Sequence, residues 1–184
     1  MLLSARNNQF KFDFPRNFIP EPIAKKYKPF LTRIPGGIIK EPIDYWNYGI
    51  QSLNLPGPSF DAATQVDYPG NQRAFRSSLP KQQLFDKTMT VTMQAFDGYV
   101  NYWMAVEMFD YYYKLSGKHP YLPEGVGVQM LDADGTVFVT VQLKDMFISE
   151  VGALDLNFSS NTIEFQTFDI TFGYNILDVV VNID

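Results

Sequence analysis

The chain has 184 residues, of which 15 are lysine or arginine, 20 are aspartate or glutamate and none is cysteine, so the net charge is −5. This length is typical of one domain with its own core, and the lack of cysteine excludes a disulfide framework, a cysteine-ligated zinc and a cysteine nucleophile. No stretch approaches the length of a membrane span and residues 1–10 lack the apolar run of a secretory signal, so we expect a soluble protein made in the cytosol.

The first 44 residues are rich in proline and in positive charge. Residues 1–40 hold eight basic and two acidic residues, whereas the rest of the chain has a net charge of −11. Six prolines from Pro15 to Pro42 lie so close together that we expect no helix and no central strand there. Residues 1–44 are therefore predicted to be an extended basic arm that packs on an acidic surface of its own chain or of a neighbour, and residues 45–184 to be the folded domain.

A strand and a long loop are predicted next. The strand runs from about Tyr45 to the stop at Leu55-Pro56-Gly57-Pro58. The loop-like composition of Pro56–Asn71, followed by a possible returning strand over Gln72–Ser78, indicates an extended hairpin. Loops of this length in compact domains usually contact partners, so we expect this one to bridge neighbouring subunits.

The middle of the chain predicts a strand and then a helix. Lys87–Phe96 alternates apolar residues with threonine and glutamine, as a half-buried strand does. Asp97 is a candidate N-cap for a helix over Gly98–Leu115, which Gly117 would end. Because apolar residues spread around most of this helix, we expect it to be buried on two sides, the second by a neighbouring subunit.

The C-terminal third predicts further strands. Val126–Leu131 and Thr136–Leu143 flank Asp132-Ala133-Asp134-Gly135, a strong hairpin signal. Leu154–Phe158 repeats the alternation. In the last long strand the alternation changes phase between Phe165 and Phe168, which predicts a bulge at Gln166–Thr167.

The polar positions of these strands share one unusual property, the absence of positive charge. They carry hydroxyl, amide and carboxylate groups and no lysine or arginine: Thr88, Thr90, Thr92, Gln94, Thr136, Thr140, Gln142, Asp155, Asn157, Glu164, Thr167, Asp169 and Thr171. A polar face of this kind can touch a polyanion without holding it, because it offers no cation for phosphate. A solvent-facing sheet with threonine at its polar positions is the equally weighted alternative.

The order of these elements resembles the tail tube proteins of contractile-tailed bacteriophages, a family related to the inner-tube proteins of type VI secretion. The resemblance is carried by the hairpin over Val128–Leu143, by Lys144-Asp145-Met146-Phe147, by Val151–Leu156 and by Ser160–Phe172. Upstream, Leu53-Asn54-Leu55-Pro56-Gly57 is similar to that family's strand and its Leu-Pro-small turn. The resemblance covers roughly residues 45–176 and includes no catalytic signature.

The resemblance implies a mainly β fold: a rolled antiparallel β-sandwich or barrel with one flanking α-helix, a long inter-subunit hairpin loop and an extended N-terminal arm. Family members form hexameric rings that stack into a tube, and their joined β-barrel lines a channel through which double-stranded DNA passes into the host. The implied location is the virion tail, assembled in the host cytoplasm, with sheath and baseplate proteins as partners. The arm is longer and richer in proline than the family's usual leader, which leaves open a tube-initiating baseplate ring of the same fold.

Two sets of site residues follow from this resemblance. The cation-free polar positions are candidates for the lumen lining. Candidates for contacts between subunits or rings are Phe12, Phe14, Lys25, Lys26, Lys28, Pro56, Phe60, Asp67, Tyr68, Trp103 and Tyr112. The lysines could also form a nucleic-acid patch, but the acidic body favours docking onto protein.

Other chemistry finds little support in the sequence. His119 is the only histidine, so neither a catalytic triad nor a histidine metal cluster can be assembled around it. Asp132 and Asp134 lack the remaining ligands of a calcium loop and fit a turn. We therefore predict a structural protein, with no enzymatic activity, catalytic residue, cofactor or metal site. The alternative from a different class is a soluble β-sandwich hydrolase or carbohydrate-binding module.

Overall fold

The computed structural model describes residues 9–31, 41–55, 57, 88–114, 122, 125–154, 156 and 165–182, together with the backbone of residues 63–67 and 71–75. The strands are β1 (Phe10–Asp13), β2 (Ile50–Asn54), β3 (Ala63–Asp67), β4 (Asn71–Phe75), β5 (Thr88–Gln94), β6 (Val126–Leu131), β7 (Val137–Lys144), β8 (Phe147–Val151), β9 (Thr167–Gly173) and β10 (Ile176–Val181). The helices are α1 (Glu21–Leu31), α2 (Pro42–Tyr48) and α3 (Val100–Lys114), with 3₁₀ turns at Arg16–Phe18 and Asp97–Tyr99.

Two four-stranded antiparallel sheets contain all of these strands except β3 and β4, which pair with each other. Sheet I has the order β1-β6-β7-β10, and sheet II has the order β2-β5-β9-β8. This arrangement confirms the prediction of a mainly β, antiparallel fold with one main helix. The sheets are not closed into a barrel, so the sandwich is the observed form.

The core lies between the two sheets because alternate residues of each strand point toward it. Sheet II contributes Met89, Val91, Met93, Phe168, Ile170 and Phe172, and sheet I contributes Phe12, Val126, Val128, Val141, Leu143 and Leu177, all of them buried. The opposite face of each sheet therefore points away from the core. A site on either sheet that contacts another molecule would therefore lie on one of these two outer faces.

Helix α1 contradicts the prediction that proline keeps helices out of residues 1–44. Pro22 is the second residue of α1, where a backbone N–H would have no intrahelical acceptor in any case. Pro29 lies near the end of the helix, so its missing N–H interrupts the hydrogen-bond ladder only there. Ile23 and Leu31 are buried, and this apolar face outweighs the proline content.

Helix α2 corrects the predicted strand start at Tyr45, since β2 begins only at Ile50. A carboxylate oxygen of Asp44 accepts the backbone N–H of Glu41 at 3.0 Å, and Pro42 occupies the first turn, so this segment begins as a capped helix. Tyr45 and Trp46 are buried on α2. A short apolar segment fits either a helix or a strand, and the cap decides between them.

The N-terminal segment packs into the core of its own chain. β1 pairs with β6 along the edge of sheet I, with Phe12 opposite Val128. The ring of Phe14 stacks on that of Phe18, with centroids 4.2 Å apart, and lies 5.5 Å from the ring of Phe172 in sheet II. Residues on both sides of position 44 therefore share one core. The division of the chain into an arm of residues 1–44 and a domain of residues 45–184 stays a prediction.

The predicted helix and hairpin are both present, as α3 and as β6–β7. The hairpin turn is held by Asp132, whose Oδ1 accepts the N–H groups of Asp134 at 2.9 Å and Thr136 at 2.8 Å. Gly135 has a φ of 84°, a conformation that glycine adopts without strain.

The predicted loop over Pro56–Asn71 contains strand β3, and β4 covers the described part of the returning strand predicted over Gln72–Ser78. The strand predicted over Leu154–Phe158 is absent at its described residues, Leu154 and Leu156, which follow the end of β8. The predicted end of α3 at Gly117 and residues 76–78 and 157–158 lie outside the described residues, and the bulge at Gln166–Thr167 stays a prediction.

Candidate lumen-lining surface

The outer face of sheet II is built from polar side chains that lie opposite one another on β5 and β9. Thr90 lies opposite Thr171, Thr92 opposite Asp169 and Gln94 opposite Thr167. The hydroxyl of Thr92 donates a hydrogen bond to a carboxylate oxygen of Asp169 at 2.7 Å, and the Thr90 and Thr171 hydroxyls are 3.5 Å apart. Antiparallel pairing thus gathers into one ladder six positions that are distant in sequence.

The two edge strands extend this polar ladder. On β2, Ser52 lies opposite Thr92 and Asn54 opposite Thr90. The strand is irregular between Ile50 and Ser52, and the side-chain amide of Gln51 donates to that of Gln94 at 3.0 Å. On β8, Glu150 lies opposite Thr171, and the Ser149 hydroxyl donates to the backbone carbonyl of Thr171 at 2.9 Å. Both edge strands therefore carry polar side chains on the same face as β5 and β9.

The charge on this face is negative only. Strands β2, β5, β8 and β9 contain no lysine and no arginine along their described lengths. Their ionisable residues are Glu150 and Asp169, both exposed. On these described strands a polyanion meets hydroxyls, amides and carboxylates, and no cation that could bind its phosphates.

One aromatic side chain, that of Phe147, lies at the end of the polar ladder. Phe147 on β8 lies opposite Gly173 on β9, which in turn lies opposite Thr88 on β5. A Cβ at Gly173 would lie only 2.3 Å from the ring of Phe147, so glycine is what leaves space for the ring. The ring covers the bare backbone of Gly173 and closes the ladder at this end.

The structure divides the predicted lumen residues between two opposite faces. Thr88, Thr90, Thr92, Gln94, Thr167, Asp169 and Thr171 lie together on sheet II. Thr140 and Gln142 belong to β7 in sheet I, where they alternate with the buried Val141 and Leu143, and Thr136 lies in the hairpin turn before β7. Because the core separates the two outer faces, one surface cannot hold both groups. Asp155, Asn157 and Glu164 lie outside the described residues.

The outer face of sheet I has a different composition. It carries both signs of charge, with Lys144 paired to Asp178 at 3.1 Å and Lys11 to Asp13 at 3.8 Å. It also exposes apolar side chains, among them Phe138 and Val180. This mixture is typical of an ordinary protein surface.

The predicted contact residues also separate into groups. Phe12, Phe14 and Tyr112 are buried within the chain itself, and the Tyr112 hydroxyl donates to the backbone carbonyl of Phe18 at 3.2 Å. Their side chains are thus occupied by the chain's own core. Lys25, Lys26 and Lys28 are exposed on α1, and Trp103 on α3 is 53% exposed. Pro56, Phe60 and Tyr68 lie outside the described residues, and of Asp67 only the backbone at the end of β3 is described.

Helix α3 is anchored to sheet II by one buried amide. Asn101 is fully buried, its amide donates to the backbone carbonyl of Gln94 at 2.6 Å, and its carbonyl accepts the N–H of Phe96 at 3.1 Å. The residue at the N-cap of the 3₁₀ turn is Phe96 and not the predicted Asp97, which is the first residue of that turn. The end of β5 is therefore fixed from inside the protein.

Burial raises the pKa of three tyrosines in the helical layer to about 12. For Tyr112 burial is the main cause, with Tyr111 adding to it. For Tyr27 burial is joined by its hydrogen bond to Glu107, and for Tyr45 by the charge of Asp97. Glu107 on α3 also pairs with Lys26, so Tyr27 and Lys26 together tie α1 to α3.

Sequence reasoning missed part of the candidate surface. Gln51, Ser52, Asn54, Ser149 and Glu150 belong to it, but the order of strands in sheet II cannot be deduced from alternation alone. The only available signal was the polar alternation within the segment around Ser52. Asn101 was also missed, because a single amide at the start of an apolar helix is recognisable as an anchor only when its burial is known.

The described residues meet the requirements neither of a membrane-spanning helix nor of a metal site. None of the described helices is both long and apolar enough to cross a membrane. Within the same part of the chain, no group of three or more histidine, cysteine, aspartate or glutamate side chains is placed to hold a metal ion.

Comparison with solved structures finds similar chains in contractile injection systems. The cap that terminates the tube of the anti-feeding prophage is 14% identical, with a TM-score of 0.47 over 72% of this chain and 80% of that one. A chain of the PVC sheath–tube complex in its extended state is 15% identical, with a TM-score of 0.45 over 72% and 81%. An Hcp protein is 14% identical, with a TM-score of 0.34 over 94% and 97%.

These similar structures are tube and cap proteins and Hcp, the kind of protein that the sequence resembles. No family model and no curated protein sequence matches the chain. At such low identities and TM-scores the likeness does not assign a function, which has to be argued from the residues of this chain.

Proposed function

We propose that this protein is the structural subunit of a bacteriophage tail tube, in which hexameric rings stack around a channel for double-stranded DNA. The observation that carries the proposal is the outer face of sheet II, which is polar, contains carboxylates and has no cation on its described strands. Its lumen-lining residues would be those on β5 and β9, joined by Ser52, Asn54 and Glu150. Thr140 and Gln142 are not part of this lining, because they lie on the outer face of sheet I, and Thr136 is left out because it lies in the hairpin turn of that sheet.

The electrostatic argument concerns what a conduit must avoid. Duplex DNA carries about one negative charge per 1.7 Å of its axis, and each lysine or arginine that contacts phosphate strengthens binding in a salt-dependent way. A wall that presented such groups in every ring would hold the DNA at many points at once. The hydroxyl and amide groups would hold water at the surface of the wall, and the carboxylates of Asp169 and Glu150 would repel phosphate. A cation-free face therefore favours passage over retention.

The edges of sheet II supply a way to close a ring. Within the described chain, β2 and β8 each pair with a single strand, and both carry the polar face to the end of the sheet. An edge strand presents unpaired N–H and C=O groups to a further strand. If β2 of one copy pairs with β8 of the next, the sheets become one continuous wall without edges. Sheath and baseplate proteins would then contact the outside of the tube in a virion tail assembled in the host cytoplasm.

The inter-subunit contacts belong to the same proposal. Lys25, Lys26, Lys28 and Trp103 are exposed and remain candidates, as does the segment Pro56–Asn71. Charge favours a protein partner for the lysines, since the chain after residue 40 has a net charge of −11. The N-terminal segment is proposed to supply this contact between rings.

Negative-stain electron microscopy of the purified protein at high concentration tests the assembly. Long hollow tubes support the proposal, and single rings that do not stack indicate a tube-initiating baseplate ring of the same fold. A monodisperse small particle at every concentration refutes it and favours the hydrolase or carbohydrate-binding alternative.

Thiol accessibility tests which face lines the channel, because the chain has no cysteine of its own. A cysteine in Thr171→Cys should react with a bulky polymeric maleimide in dissociated subunits and be protected in assembled tubes. Thr140→Cys, on the opposite face, is the matched control and should react in both states. Equal reactivity of the two cysteines in tubes would contradict a lumen on sheet II.

A further inference from the structure

The two ends of sheet I carry charges of opposite sign, and these charged side chains have no ion-pair partner among the described residues. At one end, the tip of the β6–β7 hairpin exposes Asp134, whose carboxylate has no ion-pair or hydrogen-bond partner in the described part of the chain. The neighbouring Asp132 is already engaged, since its Oδ1 accepts two backbone N–H groups of the turn. No lysine or arginine occurs from Gly125 to Leu143. The tip is therefore a protruding negative charge.

At the other end lies a pocket of about 210 Å³ between the 3₁₀ turn, α1 and α2. Its floor is apolar and includes Ile19 and Ile43, and its charged lining residues are Arg16, Lys25, Lys28 and Glu41. Lys25 is paired with Glu21 at 2.7 Å. Arg16 and Lys28 are exposed and have no carboxylate partner among the described residues. Among the described lining residues, Arg16 and Lys28 are therefore cations that make no ion pair, and they lie beside the apolar floor of the pocket.

Strand β1 shows that the tip and the pocket belong to opposite ends of the sheet. Phe10 lies opposite Met130, beside the hairpin tip, where the backbone carbonyl of Gln9 accepts the N–H of Leu131 at 3.0 Å. Asp13 lies opposite Gly127 at the far end, and the chain leads from there into Arg16. The six residues of β6 span roughly 20 Å at about 3.4 Å per residue, so the tip cannot reach the pocket of its own chain.

We propose that the Asp134 tip of one copy enters the pocket of a second copy and pairs there with Arg16 and Lys28. This inference rests on the proposed function, since it names the contact that stacks one ring on the next. A contact between two different ends of the same molecule is heterologous, so it repeats from copy to copy and extends a stack. One exposed ion pair contributes little, but a contact repeated by every subunit of a ring acts cooperatively.

A crosslinking experiment in the cysteine-free chain tests the contact. The double variant Ala24→Cys with Ala133→Cys keeps Arg16, Lys28 and Asp134 in place and puts one cysteine in the pocket lining and one at the exposed tip. Treated with a short bis-maleimide, it should give a ladder of covalent oligomers, whereas each single variant can give dimers at most. Lys114→Cys with Ala133→Cys is the matched control, because Lys114 lies on α3 and outside the pocket. Absence of the ladder, or a ladder of equal strength in the control, overturns the proposal.

Charge reversal separates this proposal from the proposed function. Arg16→Glu with Lys28→Glu, and separately Asp134→Lys, should each reduce the fraction of protein in stacked rings by about fivefold or more at low salt, because both replace attraction by repulsion. Combining all three substitutions should restore stacking. If wild-type rings stack and the charge-reversed variants stack equally well, the proposed contact is wrong. It is also wrong if the triple variant does not regain stacking. In both cases the proposed tail-tube function still stands, because the wild-type rings stack. If the wild type forms no rings, the tube is wrong and the crosslinked ladder alone decides on the contact.

Discussion

The two sheets of this protein have the same number of strands and bury their inner faces in one core, yet their outer faces differ. Sheet II presents a ladder of hydroxyls, amides and carboxylates with no cation on its described strands. Sheet I presents ion pairs of both signs, such as Lys144 with Asp178, and exposed apolar side chains such as Phe138. The need to bury apolar side chains explains the composition of the inner faces but not that of the outer faces. The uniformity of the outer face of sheet II therefore points to function.

The sheets also differ in how their turns are fixed. Asn101 ties the end of β5 from inside the core, whereas Asp132 ties the β6–β7 turn at an exposed tip. Water can replace a lost hydrogen bond at the tip, but not beside Asn101. At these turns sheet II is therefore anchored from inside the core, whereas the anchor of sheet I is open to water.

The largest expected effect comes from removing the buried anchor. Asn101→Ala leaves the carbonyl of Gln94 and the N–H of Phe96 without their partner, so the free energy of unfolding should fall by about 3 kcal/mol. Asp132→Ala also removes two hydrogen bonds to the backbone, both accepted by a carboxylate oxygen at an exposed turn, and should cost only about 1 kcal/mol because water can replace them. Urea denaturation followed by circular dichroism measures both. Equal losses would show that the two turns do not differ in the way proposed.

Alkaline pH should weaken the helices that flank sheet II. The pKa of Tyr112, Tyr27 and Tyr45 is about 12 in the fold, against 10 for an ordinary tyrosine. Folding favours the protonated phenols, so their contribution is complete below pH 10 and is lost as the pH rises through about 12. The melting temperature should fall steeply over that interval. Tyr112→Phe should reduce the slope, whereas Tyr113→Phe, at a 69% exposed position, should not.

Much of the fold could be predicted from the sequence wherever local chemistry decides the structure. The Asp132-Ala133-Asp134-Gly135 turn and the alternation of β5 and β9 each contain their own signal, and both elements are present. Helix α1 could not be predicted, because proline content suggested an extended arm and the burial of Ile23 and Leu31 depends on the rest of the fold. Local rules fail where tertiary packing outweighs propensity.

The candidate site was predictable in composition but not in geometry. The absence of cations at polar strand positions is visible in the sequence. Which of those positions share a face depends on strand order, and this placed Thr140 and Gln142 away from Thr90 and Thr171. The contribution of Ser52 and Glu150 depends on the pairing of β2 and β8, which alternation leaves undetermined.

Adding one cation to each face tests the functional difference between them. Thr171→Lys places a positive charge in the ladder of sheet II, and every ring would repeat it. The rate of DNA release from particles that carry this subunit should fall about tenfold at low salt and recover as salt is raised. Thr140→Lys, the matched control on sheet I, should leave the rate unchanged. An unchanged rate for Thr171→Lys at low salt would contradict the non-stick role of this face.

The smallest effect is expected from the polar contacts themselves. A double-mutant cycle on Thr92 and Asp169, with Thr92→Val and Asp169→Asn, should give a coupling of about 0.5–1 kcal/mol, because a 2.7 Å charge-assisted bond links them across two strands. The same cycle on Lys144 and Asp178, with Lys144→Gln and Asp178→Asn, should give about 0.2–0.5 kcal/mol, since both side chains are half exposed. Such small couplings on both faces would mean that the polar ladder adds little to folding, so stability would not explain its cation-free composition. A coupling well above about 1 kcal/mol for Thr92 and Asp169 alone would reverse that conclusion, because the ladder would then be explained by stability.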